Sequence, residues 1–499
     1  MVKQKIINFR PICIAAAFYA VGIAFAYFLL RNVAVAVICI SVLAVLSVPA
    51  VAFSENKKKS LICLAVFSLI FIIGFGYAEI KINSAYNAAA PSGKVKAEAT
   101  VDRVSLTRTG SYRVYFRDVR VNGRSFGSAV GYVDDEFVPE VGSRYSFDCE
   151  LIKRAGKEDF YDIFCGVHFS VRYISGAKYM GDCSDAAEKS AVFIKRVLKS
   201  GMTEQSYSLA VALVLGDTSL ISDDLPAYRF AGIAHAFAVS GLHVGLFFAI
   251  LTFIAKRLRL KRVFRFLFIL IPAAFYCFIC GFKPSSVRAL IMAAVLLLSG
   301  DFGFKRDRMS SIALALIVVL SIQPFYLFDI GTRLSFLAVL GIAALLPVLK
   351  RGAKPLKKLA DPICVSMGAS LGTMPVLVDM SGYMSIISLF ANVIFVPLLS
   401  LAYQLTVVFA VFGCIEYAVA GSAVITMFVP SALLTLISDV VGFFDFSAFA
   451  LPLKFGFAAI FYYVGLFFIT DFLNLKGKYK AIMSVVAFVL SVIVMLIAA

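Results

Sequence analysis

Gly232-Ile233-Ala234-His235-Ala236-Phe237-Ala238-Val239-Ser240-Gly241-Leu242-His243-Val244-Gly245 heads an apolar run that continues through Ile254, and it holds two of the three histidines in a chain of 499 residues. An ionisable side chain at the middle of a bilayer costs roughly 2.5–3.5 kcal/mol even on the mildest scales, so such groups usually face a bundle interior or a wet cavity. A pathway is the default reading. His235 and His243 are eight residues apart, roughly 80° around a helix turning about 100° per residue, and Ser240 lies one turn before His243. One helix edge presents all three.

Enzyme chemistry fits the stretch poorly. Ser-Gly-Leu-His sets a nucleophile type beside a base, but a G-x-S-x-G elbow and an orienting third group are both missing. Histidines eight apart with no glutamate between them do not match the helical H-E-x-x-H zinc pattern. A structural reading stays open, in which the glycines let helices approach and the histidines bond neighbouring helices.

Hydrophobic residues make up 61% of the chain, too many for a set of soluble domains, so the fold class is a polytopic α-helical membrane protein. Lys and Arg number 48 against 30 Asp and Glu, a formal charge of +18. Such an excess fits a nucleic-acid partner or cytoplasmic loops that follow the positive-inside rule, and loop position decides between them. Of the ten cysteines, Cys277 and Cys280 alone have C-x-x-C spacing, inside an apolar span where packing is the reading. No metal or other cofactor is expected. Tryptophan is absent, which leaves tyrosine for the interfacial belt.

Residues 1–82 read as three transmembrane helices, near Pro11–Leu30, Asn32–Phe53 and Ser60–Ile80. The first, preceded by Lys3, Lys5 and Arg10, is long enough to span, and more spans follow it, so it reads as retained rather than as a cleaved signal. Lys57, Lys58 and Lys59 put the second loop and the N-terminus in the cytoplasm. Residues 83–182 have a soluble composition and alternating segments at Lys94–Val101, Tyr112–Val121, Ser143–Ile152 and Phe164–Tyr173, the pattern of a small extracytoplasmic β-domain. A five-stranded, partly open barrel, the OB solution, commonly binds oligonucleotides.

Within that domain Arg103, Arg113, Arg117 and Arg120 cluster with Tyr115, guanidinium groups for phosphates beside rings for base stacking. The domain as a whole carries 14 basic and 13 acidic residues, so a solvated strand face explains the arginines equally well. Cys149 and Cys165 lie on segments that can be neighbouring strands outside the membrane, where a disulfide persists.

Residues 183–230 read as interfacial or re-entrant helices, since Tyr207–Leu215 is too short to cross alone. Residues 231–474 form the main transmembrane core and 475–499 a final transmembrane helix, for about 13 spans in all. Basic clusters at Lys256–Arg265, Lys305–Arg308, Lys350–Lys358 and Lys476–Lys480 all fall on one side. His235, then Lys283 and Arg288, then Asp329 and Arg333, with Asp217 upstream, gather at the opposite level. Such charge suits a vestibule that draws phosphates, with Asp217 a candidate partner for Arg288. A helix-start ion pair explains Asp329 and Arg333 equally well.

The wording of the opening stretch resembles the ComEC competence family of membrane channels. Leu215-Gly216-Asp217, Gly281-Phe282-Lys283-Pro284-Ser285-Ser286-Val287-Arg288-Ala289, Asp329 through Val339, Gly372-Thr373-Met374-Pro375 and Asn392 through Pro397 follow in the family's order. The resemblance covers roughly residues 205–400 and is specific because several motifs keep their sequence. It implies a channel that passes single-stranded DNA across the bacterial cytoplasmic membrane in natural transformation, with an OB-like external domain. The polar groups read above give the expected path as Asp217, His235, Ser240, His243, Lys283, Arg288, Asp329 and Arg333.

The longer relatives carry a C-terminal metallo-β-lactamase-like domain with a histidine-rich motif, which three histidines do not supply. No G-x-x-x-x-G-K-[ST] loop is present. The chain is therefore expected to be no enzyme; the resemblance implies that it works in membrane lipid with a DNA receptor outside, a separate nuclease and a cytoplasmic ATPase, as a monomer or a homo-oligomer. The alternative is a transporter of a small or lipid-linked anionic solute, which predicts inverted repeats.

Overall fold

The computed structural model describes residues 11–31, 57–86, 94–106, 112–133, 142–153, 167–182, 186–221, 225–233, 237, 241–281, 284–301, 308–352, 360–385, 387–444, 450–470 and 477–498. They divide into two units, one of residues 14–190 and 317–329, the other largely of residues 191–316 and 330–499.

In the first unit, α1 (Pro11–Arg31) and α2 (Lys57–Tyr86) are apolar helices. They lie so close that a Cβ on Gly74 would meet the Tyr19 carbonyl at 2.6 Å. The chain then forms β1 (Lys94–Leu106), β2 (Tyr112–Val121), β3 (Arg124–Ser125), β4 (Ser128–Val133), β5 (Ser143–Lys153) and β6 (Val167–Asp182). β1 pairs with β2 and β5, β2 with β4, β4 with β6 and β5 with β6, so five strands close a barrel in the order β1-β2-β4-β6-β5. Only β4 and β6 run parallel; β3 extends the β2 hairpin through Asn122 and Gly123, both at positive φ.

Closure follows from strand chemistry. Val114 and Phe116 alternate inward with Ala97, Ala99, Val101, Phe147, Cys149, Phe169 and Val171, filling the barrel with side chains. This is the expected OB-like barrel, with β4 as a strand that period-2 reasoning missed. Ser128–Val133 buries three consecutive residues, Ala129, Val130 and Gly131, so no polar alternation marks it. Gly131 sits where a Cβ would be 3.1 Å from Val171 Cβ on the parallel neighbour.

The second unit is helical. Its elements are α3 (Ala186–Gly201), α4 (Glu204–Leu215), α5 (Leu225–Phe230), α6 (Gly241–Arg257), α7 (Arg262–Ile279), α8 (Pro284–Asp301) and α9 (Arg308–Ile322), with α3 and α9 each shared in part with the first unit. They continue with α10 (Ile330–Gly352), α11 (Ala360–Ser381), α12 (Ser388–Ala420), α13 (Val424–Phe443), α14 (Ala458–Ile469) and α15 (Gly477–Ala498). A short ribbon pairs β7 (Tyr383–Ser385) with β8 (Ala450–Pro452).

α4 is buried at Ser206, Tyr207 and from Leu209 to Leu215. Thr203 caps its start, accepting from Ser206 N, and Gly216 ends it in the left-handed region at φ 64°, where a Cβ is disfavoured. α10 and α11 cross on small residues: a Cβ on Gly372 would lie 2.5 Å from the Leu337 carbonyl, and one on Gly341 would strike Gly368. That is how helices without a hydrophobic drive gain contact in lipid.

Among the described residues, α1, α2, α7, α10, α11, α12, α13 and α15 are eight helices long and apolar enough to cross a membrane, with shorter apolar helices in α8, α9 and α14. The chain is a multi-pass membrane protein. The expected span at Asn32–Phe53 lies outside the described residues.

Candidate translocation site

Contacts within the helical unit collect one of its ends. Tyr276, in the last turn of α7, donates through its hydroxyl to the Val214 carbonyl at 2.6 Å, closing the end of α4 just before Leu215-Gly216-Asp217. Cys277 donates to the Ser286 carbonyl at 3.6 Å, joining the end of α7 to the start of α8. Arg288 Nη1 donates to Thr332 Oγ1 at 2.8 Å, joining the starts of α8 and α10. At the end of α11, Asp379 Oδ1 accepts from Phe455 N at 2.6 Å and Gly456 N at 3.1 Å, in the lead-in to α14.

The signature stretch begins at this end too. Ser385 Oγ donates to the Phe230 carbonyl at 2.7 Å. Gly232, at φ 78°, lies where a Cβ would strike Ser388 at the start of α12, so both its backbone and its neighbour require glycine. At the opposite end Lys350 pairs with Asp361 at 2.8 Å, and Lys480 donates to the Thr470 carbonyl at 2.8 Å. Lys256 and Arg257 close α6 there.

Of the residues nominated for the path, the structure brings Asp217, Arg288 and Arg333 to the first of these ends. Arg288 is 2% exposed, and an arginine so deep among apolar helices needs an oxygen to donate to. Thr332, itself 2% exposed, supplies one; nothing in the sequence named it. Asp217 is paired with a base that the sequence did not suggest: its Oδ2 is 2.6 Å from Lys195 Nζ of α3. Arg333 is exposed in the first turn of α10. His243 lies in the first turn of α6, and His235, Ser240 and Lys283 lie outside the described residues. Asp329 belongs to the first unit, where it follows a 3-10 turn at Pro324–Leu327 and donates its N–H to the Tyr326 carbonyl at 3.2 Å.

On the barrel, alternation puts Arg113, Tyr115 and Arg117 on the outer face of β2, with the Arg113 guanidinium 5.1 Å from the centre of the Tyr115 ring. Arg103 pairs in register with Tyr115 across β1, and Arg113 with the exposed Tyr132 of β4. Arg120 lies beyond an irregularity at Asp118, which has φ 49°, and is held by that carboxylate at 2.8 Å. The Arg120 hydrogen bond, with a second from Ser125, keeps the Asp118 carboxyl below its usual range. Arg120 is thus held by a carboxylate, whereas Arg113, Tyr115 and Arg117 share the outer face of β2.

Cys149 is a buried free cysteine, its thiol pushed up to about 11 by desolvation. Cys165 lies outside the described residues. No cluster of three or more His, Cys, Asp or Glu suited to a metal occurs among the described residues.

Fold and site together define a class: a multi-pass helical membrane protein with an OB-like barrel and a buried arginine at one end of its helical unit. The family profile described as Competence protein matches residues 213–476, more than half the chain. The chain belongs to this competence family, the ComEC family, whose members have a role in DNA uptake.

ComE operon protein 3 of Bacillus subtilis (strain 168) is 32% identical over 193 residues, 38% of this chain and 24% of that protein. Competence protein ComA of Neisseria gonorrhoeae is 30% identical over 148 residues, 27% of this chain and 21% of that protein. An uncharacterized protein of Aquifex aeolicus (strain VF5) is 26% identical over 329 residues, 62% of this chain and 74% of that protein. The matched segments thus span about a quarter or less of the two competence proteins. No solved structure matches the chain significantly.

Proposed function

We propose that the chain is a channel that passes single-stranded DNA across the bacterial cytoplasmic membrane during natural transformation. The observation that carries this reading is Arg288, buried inside the family-matched helical unit and tied to the first turn of α10. A fixed cation at one end of an apolar bundle, beside helix N-termini whose dipoles also favour anions, suits a phosphate backbone.

The basic loops at the opposite end then face the cytoplasm by the positive-inside rule. The Arg288 end, the barrel and the C-terminus face outward, the N-terminus inward, with about thirteen spans in all. Arg103, Arg113, Tyr115 and Arg117 of the barrel bind the strand by charge and stacking. Asp217, His235, Ser240, His243, Lys283, Asp329 and Arg333 complete the path. An external DNA receptor, a separate nuclease and a cytoplasmic ATPase supply capture, strand removal and drive. Cys149 and Cys165 are proposed as a disulfide pair under oxidising conditions.

The test is rescue. The chain is expressed in a transformable bacterium lacking its own channel, with a nuclease supplied, and nuclease-protected labelled DNA is measured. Wild type restores protection, while Arg288→Ala and His243→Ala at equal membrane levels lose at least tenfold. Absence of rescue by correctly inserted wild type would favour a carrier of small anionic solutes.

A further inference from the structure

α3 turns one face to protein and leaves the other open. Val197 and Leu198 are fully buried, Ile194 packs against the same core, and a Cβ on Gly201 would strike the Ala423 carbonyl. Val192, Phe193, Arg196 and Lys199, spaced as one stripe of a helix, are all exposed, Val192 by 45% and Phe193 by 43%. Arg196 has no hydrogen bond or ion pair among the described residues. The Lys199 ammonium is 5.8 Å from the centre of the Tyr207 ring.

The place of α3 decides what lies opposite that stripe. Ser200 Oγ accepts from Ala423 N at 3.1 Å, and the Phe193 ring is 6.1 Å from that of Tyr417. The helix therefore lies against the turn that joins α12 to α13. Both of those helices are long and apolar enough to cross a membrane, and a turn between two successive spans lies at a membrane face. Beside it Val419 and Ile425 stand further out than Val192, aliphatic surface suited to lipid rather than water.

That turn has no cationic anchor of its own. Residues 388–443 contain no lysine or arginine. Glu416, one of their two acids, accepts from Ile425 N at 3.0 Å and Thr426 N at 2.9 Å, closing the start of α13. Lysine and arginine at span ends ordinarily hold a helix at the interface; here α3 brings them from a distant part of the chain.

We propose that α3 is a docking helix for anionic lipid: Arg196 and Lys199 meet headgroup phosphates while Val192 and Phe193 enter the acyl boundary. Long stems let the two charges reach outward from the face that the apolar residues share. Such a helix binds an anionic bilayer by charge and by apolar burial together. A nucleic-acid strand would satisfy the bases but leave Val192 and Phe193 in water. The inference needs the membrane class alone, so it stands or falls independently of the channel reading.

The test places p-benzoylphenylalanine at position 192 of the full chain, in nanodiscs of equal phosphatidylglycerol and phosphatidylcholine. Position 492, exposed well along α15, is the reference, and mass spectrometry identifies the photoadducts. Lipid adducts at 192, with phosphatidylglycerol favoured about threefold or more over its share at 492, support the proposal. Adducts to protein alone, or the same lipid ratio at both positions, overturn it. Arg196→Gln with Lys199→Gln should bring the ratio at 192 to that at 492 while lipid adducts persist; a ratio left unchanged overturns the roles of the two bases.

Salt gives the same readout without a charge variant. At about 1 M the Debye length falls to about 3 Å, so the preference at 192 should shrink, and a preference indifferent to salt counts against charge selection. Added single-stranded oligonucleotide that replaces lipid in the adducts at 192 would overturn the proposal in favour of a nucleic-acid surface.

Discussion

The Thr332 hydroxyl receives a hydrogen bond from a guanidinium that is 2% exposed, and a bond of that kind is expensive to leave unmade. Thr332→Val should lower the stability of the detergent-solubilised chain by about 1–3 kcal/mol, read as a thermal shift, while Thr332→Ser should keep most of it. Arg288 was recognisable in the sequence as a charge placed inside a span; its partner was not, because 44 residues separate the two positions and only packing of α8 against α10 joins them.

Asp118 carries a second residue-scale prediction. Its carboxyl is lowered from 3.8, chiefly by the Arg120 hydrogen bond. The bridge therefore contributes fully above 3.8 and is lost as pH falls through the lowered value. Asp118→Asn removes this competition at neutral pH, so single-stranded oligonucleotide should bind the full chain more tightly, with a salt slope steeper by up to about one ion. An unchanged slope would show that Arg120 meets no phosphate even when released.

Burial of Cys149 predicts slow chemistry. With its thiol pushed up to about 11, the native reduced protein at pH 8 should resist iodoacetamide at this position, and labelling should quicken about tenfold per unit of rising pH until the thiolate dominates. Mass spectrometry after denaturation checks this and reports any bond to Cys165, since a bonded sulfur stays unlabelled until reduced.

At the scale of elements, two motif glycines separate a packing role from a different one. Gly372 abuts the Leu337 carbonyl at 2.5 Å for an added Cβ, whereas a Cβ on Gly245 meets nothing within 4 Å. Gly372→Ala should force α10 and α11 apart and cost about 1–3 kcal/mol, and Gly245→Ala should leave stability within about 0.5 kcal/mol. Thermal melting of the two variants side by side decides it.

The Gly-Thr-Met-Pro motif, visible in the sequence as a likeness only, thus has a steric function that needed the structure to appear. The same holds for the ends of α4: Gly216 is legible as a helix stop, yet the Tyr276 hydroxyl that caps the preceding carbonyl comes from 62 residues away. β-strands with one wet face were legible by alternation. β4, buried across three successive residues and paired in parallel with β6, carries no such signal.

Across the whole molecule, membrane class and the gathering of basic loops at one end of the helical unit were legible, because both depend on composition and on charge at span ends. Which polar groups touch was not, since the links of α4 to α7 and of α8 to α10 join positions 62 and 44 residues apart. The account's central claim is that a DNA strand enters the helical unit at the Arg288 end.

Its most direct test is photocrosslinking during uptake, with p-benzoylphenylalanine placed at position 333, exposed in the first turn of α10, or at position 425, 83% exposed at the start of α13 toward the other end. The account predicts adducts of labelled incoming strand at 333 and background levels at 425. Equal yields at both positions, or none at 333 while protected DNA accumulates, would contradict it.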